Sequence, residues 1–219
     1  MTTKRIFLIH ATPVAIAPIE QAFARLWPQA QVSNLLDDSL SRDLASAGCI
    51  TDQLKNRFLA LARYAVQADA DAILFTCSAF GEALDLCKRD LDIPVLKPNE
   101  AMIDEAIVQA SRIAIVATFE PAIDSMSNEF RQAASLAGRP LELSTFTCPQ
   151  ALQALQAGDT ARHDELISEL VANIDGPQLV CFAQFSMVTA ASRAGNTTSL
   201  SILTTPDSAV LKLRSLLGA

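Results

Sequence analysis

The chain is short of positive charge: 17 Lys and Arg stand against 24 Asp and Glu, a formal net charge of −7. No basic cluster interrupts the acidic balance, so nucleic-acid binding, which needs an electrostatic footprint, is not expected. Histidine is scarce, and the five cysteines follow no CxxC or CxxxC spacing. Neither a disulfide framework nor a metal site is expected, and a reduced, cytoplasmic setting fits this cysteine usage. No apolar run approaches the roughly 18 residues that a membrane helix needs. The apolar residues ahead of His10 are also too few for a secretory signal. What the chain does have is apolar mass. Half of its 219 residues are hydrophobic, enough core for one large or two small globular units.

That mass is laid out as strands alternating with helices. Lys4–His10, Gln31–Leu36, Ile73–Phe75, Pro94–Leu96, Arg112–Ala117, Leu141–Phe146, Gln178–Ala183 and Ser201–Leu203 read as short strands. Helical spacing recurs between them. Thr51 caps a helix with Leu54, Phe58, Leu61 and Ala65 on one face, and Ile123, Met126 and Phe130 form a core stripe on another. Leu166, Leu170 and Ile174 line a third helix, on whose polar face His163 is expected to be solvated. Asp37–Cys49 reads as a polar, Ser-rich loop, long enough to suggest a lid. The alternation predicts parallel α/β sheets of the doubly wound type.

The second half repeats the first. Ile113–Thr118 stands to Ile6–Ala11 at a shift of 107 (113 − 6), and Leu179–Gln184 stands to Ala72–Cys77 at the same shift (179 − 72). This constant register predicts two similar lobes related by a pseudo-twofold axis, with a site in the cleft that receives the strand ends of both. Expected boundaries are 1–97 for the first lobe and 98–205 for the second. Residues 206–219 are expected to form a C-terminal helix packing back on the first lobe. The repeat sets Gln184 opposite Cys77, and Thr118 opposite the loop at Ala11–Thr12.

Cys77 ends an apolar strand and Ser78 begins the helix after it. A thiol there stands where α/β proteins place ligands, and helix amides behind it would favour the thiolate. The same residue also reads as a small buried group closing a strand. The motifs Thr76-Cys77-Ser78 with Gly81, Ile115–Pro121 and Ala183-Gln-Phe-Ser-Met187 resemble, over essentially the whole chain, the aspartate/glutamate/hydantoin racemase superfamily. That group also holds maleate isomerase and arylmalonate decarboxylase.

The resemblance implies an isomerase-type enzyme without cofactor, acting at a carbon next to a carboxylate of a small acid. In the racemases two cysteines face that carbon from opposite sides. Here Cys77 fills the first position and Gln184 the second, and a carboxamide shuttles no proton near neutral pH. Cys181, at odd spacing on the same strand, points to the other face and does not replace it. Cys77 is therefore the expected acid/base or nucleophile, and Gln184 a substrate-orienting donor or a strand-end cap. One thiol fits a stereospecific decarboxylation or a Cys-addition isomerisation more simply than racemisation, and a carboxylate-binding protein without catalysis and a redox-sensing thiol stand as further alternatives. Amides at Ser78, Phe80 and Gly81, with the hydroxyls of Thr12, Thr118 and Ser186, are candidate holders of carboxylate oxygens. Capping is the other reading of the hydroxyls. His10 reads as a second proton carrier, an anion ligand or a hydrogen-bonded structural histidine. Apolar helix faces in so small an enzyme are compatible with a homodimer.

Overall fold

Apolar runs and amphipathic helices assemble two four-stranded parallel sheets in a computed structural model that describes residues 3–219. The first sheet comprises β1 (Arg5–His10), β2 (Gln31–Leu36), β3 (Ala72–Phe75) and β4 (Val95–Leu96), in the order β2-β1-β3-β4. Around it run α1 (Ile16–Leu26), α2 (Ser39–Ala47), α3 (Asp52–Gln67) and α4 (Gly81–Asp90), and α5 (Glu100–Gln109) follows. The second sheet comprises β5 (Arg112–Ala117), β6 (Glu142–Thr147), β7 (Leu179–Phe182) and β8 (Ser201–Thr204), in the order β6-β5-β7-β8. Its helices are α6 (Ala122–Leu136), α7 (Pro149–Gln156), α8 (Thr160–Ala172) and α9 (Ala191–Gly195), and α10 (Thr205–Leu216) follows. The chain up to Glu100 groups with Ala209–Ala219 in one compact unit, and Ala101–Ser208 forms the other.

The repeat is written into the backbone bonding. Ile6 pairs with Ala72 as Ile113 pairs with Leu179, and Ile73 with Val95 as Val180 with Ile202, all at the 107 shift (202 − 95). The amide of Thr76 donates to the Ile9 carbonyl at 3.1 Å, and that of Ala183 to Val116 at 3.0 Å. The register slips only at the outer strands, where Arg5 meets Gln31 but Arg112 meets Glu142, a shift of 111 (142 − 31). The extra residues lie on the path through α6, which has 15 residues against 11 in α1.

Inner strands β1, β3, β5 and β7 are buried almost throughout, as continuous apolar runs in parallel sheets require. In the first unit α3 packs Leu54, Phe58, Ala62 and Ala65 onto the face carrying Ile73 and Phe75. In the second, Met126 and Phe130 pack on one sheet face and Ile167, Val171 and Phe182 on the other.

Two expectations are corrected. Asp37–Cys49 is not a loop: Leu40 and Leu44, four apart, form an apolar stripe that the serines obscured, and Gly48 closes α2 in the left-handed conformation at φ 69°. Arg57 of α3 straps this helix down through ion pairs with Asp37 and Asp43. His163 is not solvated but fully buried, because it shares the α8 stripe with Ile167 and Val171 at four-residue intervals. Among the described residues no helix is long and apolar enough to cross a membrane.

Candidate functional site

In each sheet the chain winds to one side after the first strand and to the other after the third. The carboxyl ends of those two strands are therefore the switch point, where open α/β sheets hold ligands. In the first unit this crevice lies between the turn after β1, with Thr12, and the turn after β3, with Cys77, Ser78, Phe80 and Gly81. In the second it lies between the turn after β5, with Thr118, and the turn after β7, with Gln184 and Ser186. Every sequence-derived candidate except His10 falls in one of these turns.

Cys77 and Gln184 occupy equivalent backbone positions. Each is extended, at φ −125°, ψ 117° and φ −126°, ψ 148°, and each immediately precedes a 3-10 turn, Ser78–Phe80 or Phe185–Ala190. Their chemistry differs. The Cys77 thiol is half-buried against the apolar cluster of Phe75 and Phe80. Burial pushes its pKa up, and the N–H of Ala79 opposes this without cancelling it. The resting group is therefore a thiol, not the thiolate that the sequence suggested, because a single 3-10 turn presents one amide where a full helix start would add its dipole. Two further thiols are raised as well: burial pushes Cys87 up to about 12, and it raises fully buried Cys181 too.

The Gln184 side chain has a fixed orientation. Its Oε1 accepts from the Thr118 amide at 3.0 Å and from the Thr118 hydroxyl at 3.4 Å. A backbone N–H can only donate, so the oxygen must face it and the NH2 must face away. That nitrogen is buried and has no partner among the described residues. It is a desolvated donor ready for an acceptor. Thr12 behaves as a cap, its Oγ1 accepting from the Val14 amide at 3.3 Å, and the Ser186 carbonyl accepts from the Thr189 hydroxyl at 3.4 Å. Ser78 is exposed, Phe80 is buried, and Gly81 opens α4.

His10 lies behind the crevice, fully buried and bonded at both nitrogens. Nε2 is 2.9 Å from Asn34 Oδ1 and Nδ1 is 2.8 Å from Thr76 Oγ1, while Asn34 in turn donates to Glu20 at 2.7 Å. The Asn34 oxygen accepts only, so Nε2 carries the proton and Thr76 donates to Nδ1. Burial keeps the ring neutral against the pull of Asn34 and Glu20, its pKa held below the ordinary value. Sequence reading missed Asn34 and Glu20; the one signal was an asparagine within the β2 run.

At the 107 shift, His10 and Thr76 correspond to Ala117 and Ala183, so an equivalent backbone carries alanine at both places. Thr76→Ala alone should cost about 1–3 kcal/mol by stranding buried Nδ1. The double variant His10→Ala, Thr76→Ala should be less destabilised than the sum of the two single changes, read by urea unfolding. Because the folded state holds His10 neutral, the unfolded chain binds the extra proton. Wild-type stability should thus fall as pH drops below about 6.5, and part of that slope should vanish in the double variant.

Among the described residues no three His, Cys, Asp or Glu side chains cluster as metal ligands would. A family model described as Asp/Glu/Hydantoin racemase matches residues 19–213. A search of curated proteins gave no significant match. Among solved structures, an aspartate racemase homologue from Pyrococcus horikoshii OT3 superposes with a TM-score of 0.78 at 13% identity, covering 99% of this chain and 100% of that one. Allantoin racemase from Klebsiella pneumoniae gives 0.72 at 16% identity over 99% and 88% of the two chains. A glutamate racemase from Bacillus anthracis gives 0.70 at 12% over 98% and 82%. At these identities the likeness is one of fold.

Proposed function

The chain belongs to the Asp/Glu/hydantoin racemase family, and on that premise we propose that it is a cofactor-independent enzyme acting at the carbon next to a carboxylate of a small acid, with Cys77 as its proton-transfer group. The observation that carries this reading is the placement of Cys77 at a switch point while its repeat equivalent is Gln184. Of two equivalent positions, one bears a group that can move a proton and the other bears a hydrogen-bond donor. The Gln184 NH2, which has no partner among the described residues, is suited to donate to a carboxylate oxygen.

With one thiol, proton traffic runs on one face. Cys77 as base takes the proton from carbon, the electron pair moves into the enolate, and the same thiol returns a proton where it was removed. Such a cycle exchanges hydrogen with solvent and retains configuration. The protonated resting state of Cys77 favours a second reading, decarboxylation. There the carbon–carbon bond breaks, CO2 leaves, and its electron pair stays on carbon as an enolate. The thiol S–H then supplies the proton to that carbon and is itself reprotonated by water. A neutral thiol is the correct form for that step.

Proton NMR in D2O on a panel of small carboxylates and malonates tests both. Stereoretentive exchange or CO2 release that Cys77→Ala abolishes is the expected result; full activity in that variant refutes the proposal.

A further inference from the structure

Helices α3 and α8 bury matching stripes. His163, Ile167 and Val171 follow Leu54, Phe58 and Ala62 at one shift of 109 (163 − 54). Ile167 and Val171 pack on the second sheet as Phe58 and Ala62 pack on the first. One position breaks the likeness: a fully buried imidazole stands where the first unit buries leucine. A buried polar ring costs free energy that leucine does not, unless its nitrogens find partners. His163 meets half of that requirement. Its Nδ1 lies 2.7 Å from Asp164 Oδ1, whereas Nε2 is buried with no partner among the described residues. As core filling the histidine is a poor choice, and what it gains over leucine is the bond to Asp164.

That bond leads to the turn after β7. Asp164 Oδ1 also accepts from the Thr189 hydroxyl at 2.7 Å, and a carboxylate accepts only, so the His163 hydrogen lies on Nδ1. Thr189 belongs to the 3-10 turn Phe185–Ala190, which begins immediately after Gln184, and the Met187 amide closes that turn on the Gln184 carbonyl at 3.1 Å. One carboxylate oxygen thus joins α8 to the turn. In the first unit the equivalent turn is held differently, through Phe80 packed on Phe58 at 4.6 Å. We propose that His163 and Asp164 are positioning residues, which fix the turn that presents the Gln184 NH2. The proposal rests on the reading of Gln184 as a donor to a substrate carboxylate and adds the residues that hold it in place.

Crossed substitutions separate the tether from the filling. His163→Leu installs the residue of the first unit, filling the site and removing the bond. His163→Asn keeps a donor at the place of Nδ1 and loses volume. Thr189→Val removes the hydroxyl at an exposed site. The substrate-free readout is amide hydrogen exchange followed by NMR. The Thr118 amide donates to Gln184 Oε1 at 3.0 Å, and the Ala183 amide, bonded to Val116 at 3.0 Å, serves as the internal control. In His163→Leu the ratio of Thr118 to Ala183 exchange should rise about tenfold while the urea midpoint falls no lower than that of wild type. Thr189→Val should raise the ratio likewise. His163→Asn should be less stable yet keep the wild-type ratio. An unchanged ratio in His163→Leu overturns the proposal, as does a ratio that merely tracks stability across the three variants. For a carboxylate turned over in the D2O assay, His163→Leu should also raise KM about tenfold with kcat within about twofold, since a donor to the bound carboxylate is displaced; an unchanged KM overturns the proposal too. Absence of turnover by wild type would sink the catalytic reading while the exchange ratios still decided the positioning role.

Discussion

Cys77→Ala is expected to lower turnover of a competent substrate by on the order of 10²–10⁴-fold, the contribution typical of a positioned acid or base. Folding should be little affected. The side chain is half-buried at a strand end, and the neighbouring backbone bond from Thr76 to Ile9 does not involve the sulfur. Thermal midpoint and substrate affinity should therefore survive while turnover is lost, the pattern that separates a group acting in the transition state from one that only binds. Cys77→Ser serves as a harder test, because a hydroxyl of the same shape is a far weaker acid. The pH profile distinguishes the two reactions. If Cys77 begins as a base, the rate must climb with pH through an apparent pKa above the ordinary thiol range, since burial disfavours the thiolate. If it begins as an acid, the rate is flat through neutrality and falls once that pKa is passed. A profile rising through neutral pH would point to some other titrating group.

What the sequence made legible followed from strict periodicities. Strands β2 and β5 have the bounds that the residue pattern predicts, and the 107 shift alone sets Cys77 and Gln184 at equivalent strand ends. The parts that stayed hidden are those decided by partners distant in sequence. Whether Cys77 is thiol or thiolate depends on how Phe75 and Phe80 close over it, and local sequence showed only that a helix followed. The chain Glu20–Asn34–His10–Thr76 joins α1, β2, β1 and the turn after β3, its longest link spanning 66 residues, and no short window contains it. His163 was open to a correct reading. Flanking charges at Arg162, Asp164 and Glu165 suggested solvent, but its register with Ile167 and Val171 was the stronger signal, because burial on a helix follows the face rather than the neighbours.

Phe58→Ala is expected to be the most damaging single change in the first unit, at about 3–5 kcal/mol. The ring is 1% exposed on α3 and touches two others: Phe75 on β3, edge-on at 5.7 Å, and Phe80 in the Cys77 turn at 4.6 Å. Removing it leaves a cavity where helix, sheet and turn meet, and forfeits two aromatic contacts that area alone does not count. Typical domain stability is only about 5–15 kcal/mol, so the variant should show a large drop in urea midpoint. Leu136→Ala, at a site 91% exposed, should stay within about 0.5 kcal/mol of wild type. The more informative consequence is local. Phe80 follows Cys77 by three residues, and its packing on Phe58 is what seats the turn that shields the thiol. Under conditions where the variant remains folded, that shield loosens, burial opposes the thiolate less, and the Cys77 pKa should drop toward its ordinary value. Alkylation by iodoacetamide at fixed pH should accordingly run faster than in wild type, and Phe58→Leu, which refills most of the volume, should restore both stability and slow alkylation in step. If stability fell while the thiol kept its wild-type reactivity, the turn would be held by its own backbone, and the aromatic cluster would have no part in tuning the proposed catalytic group.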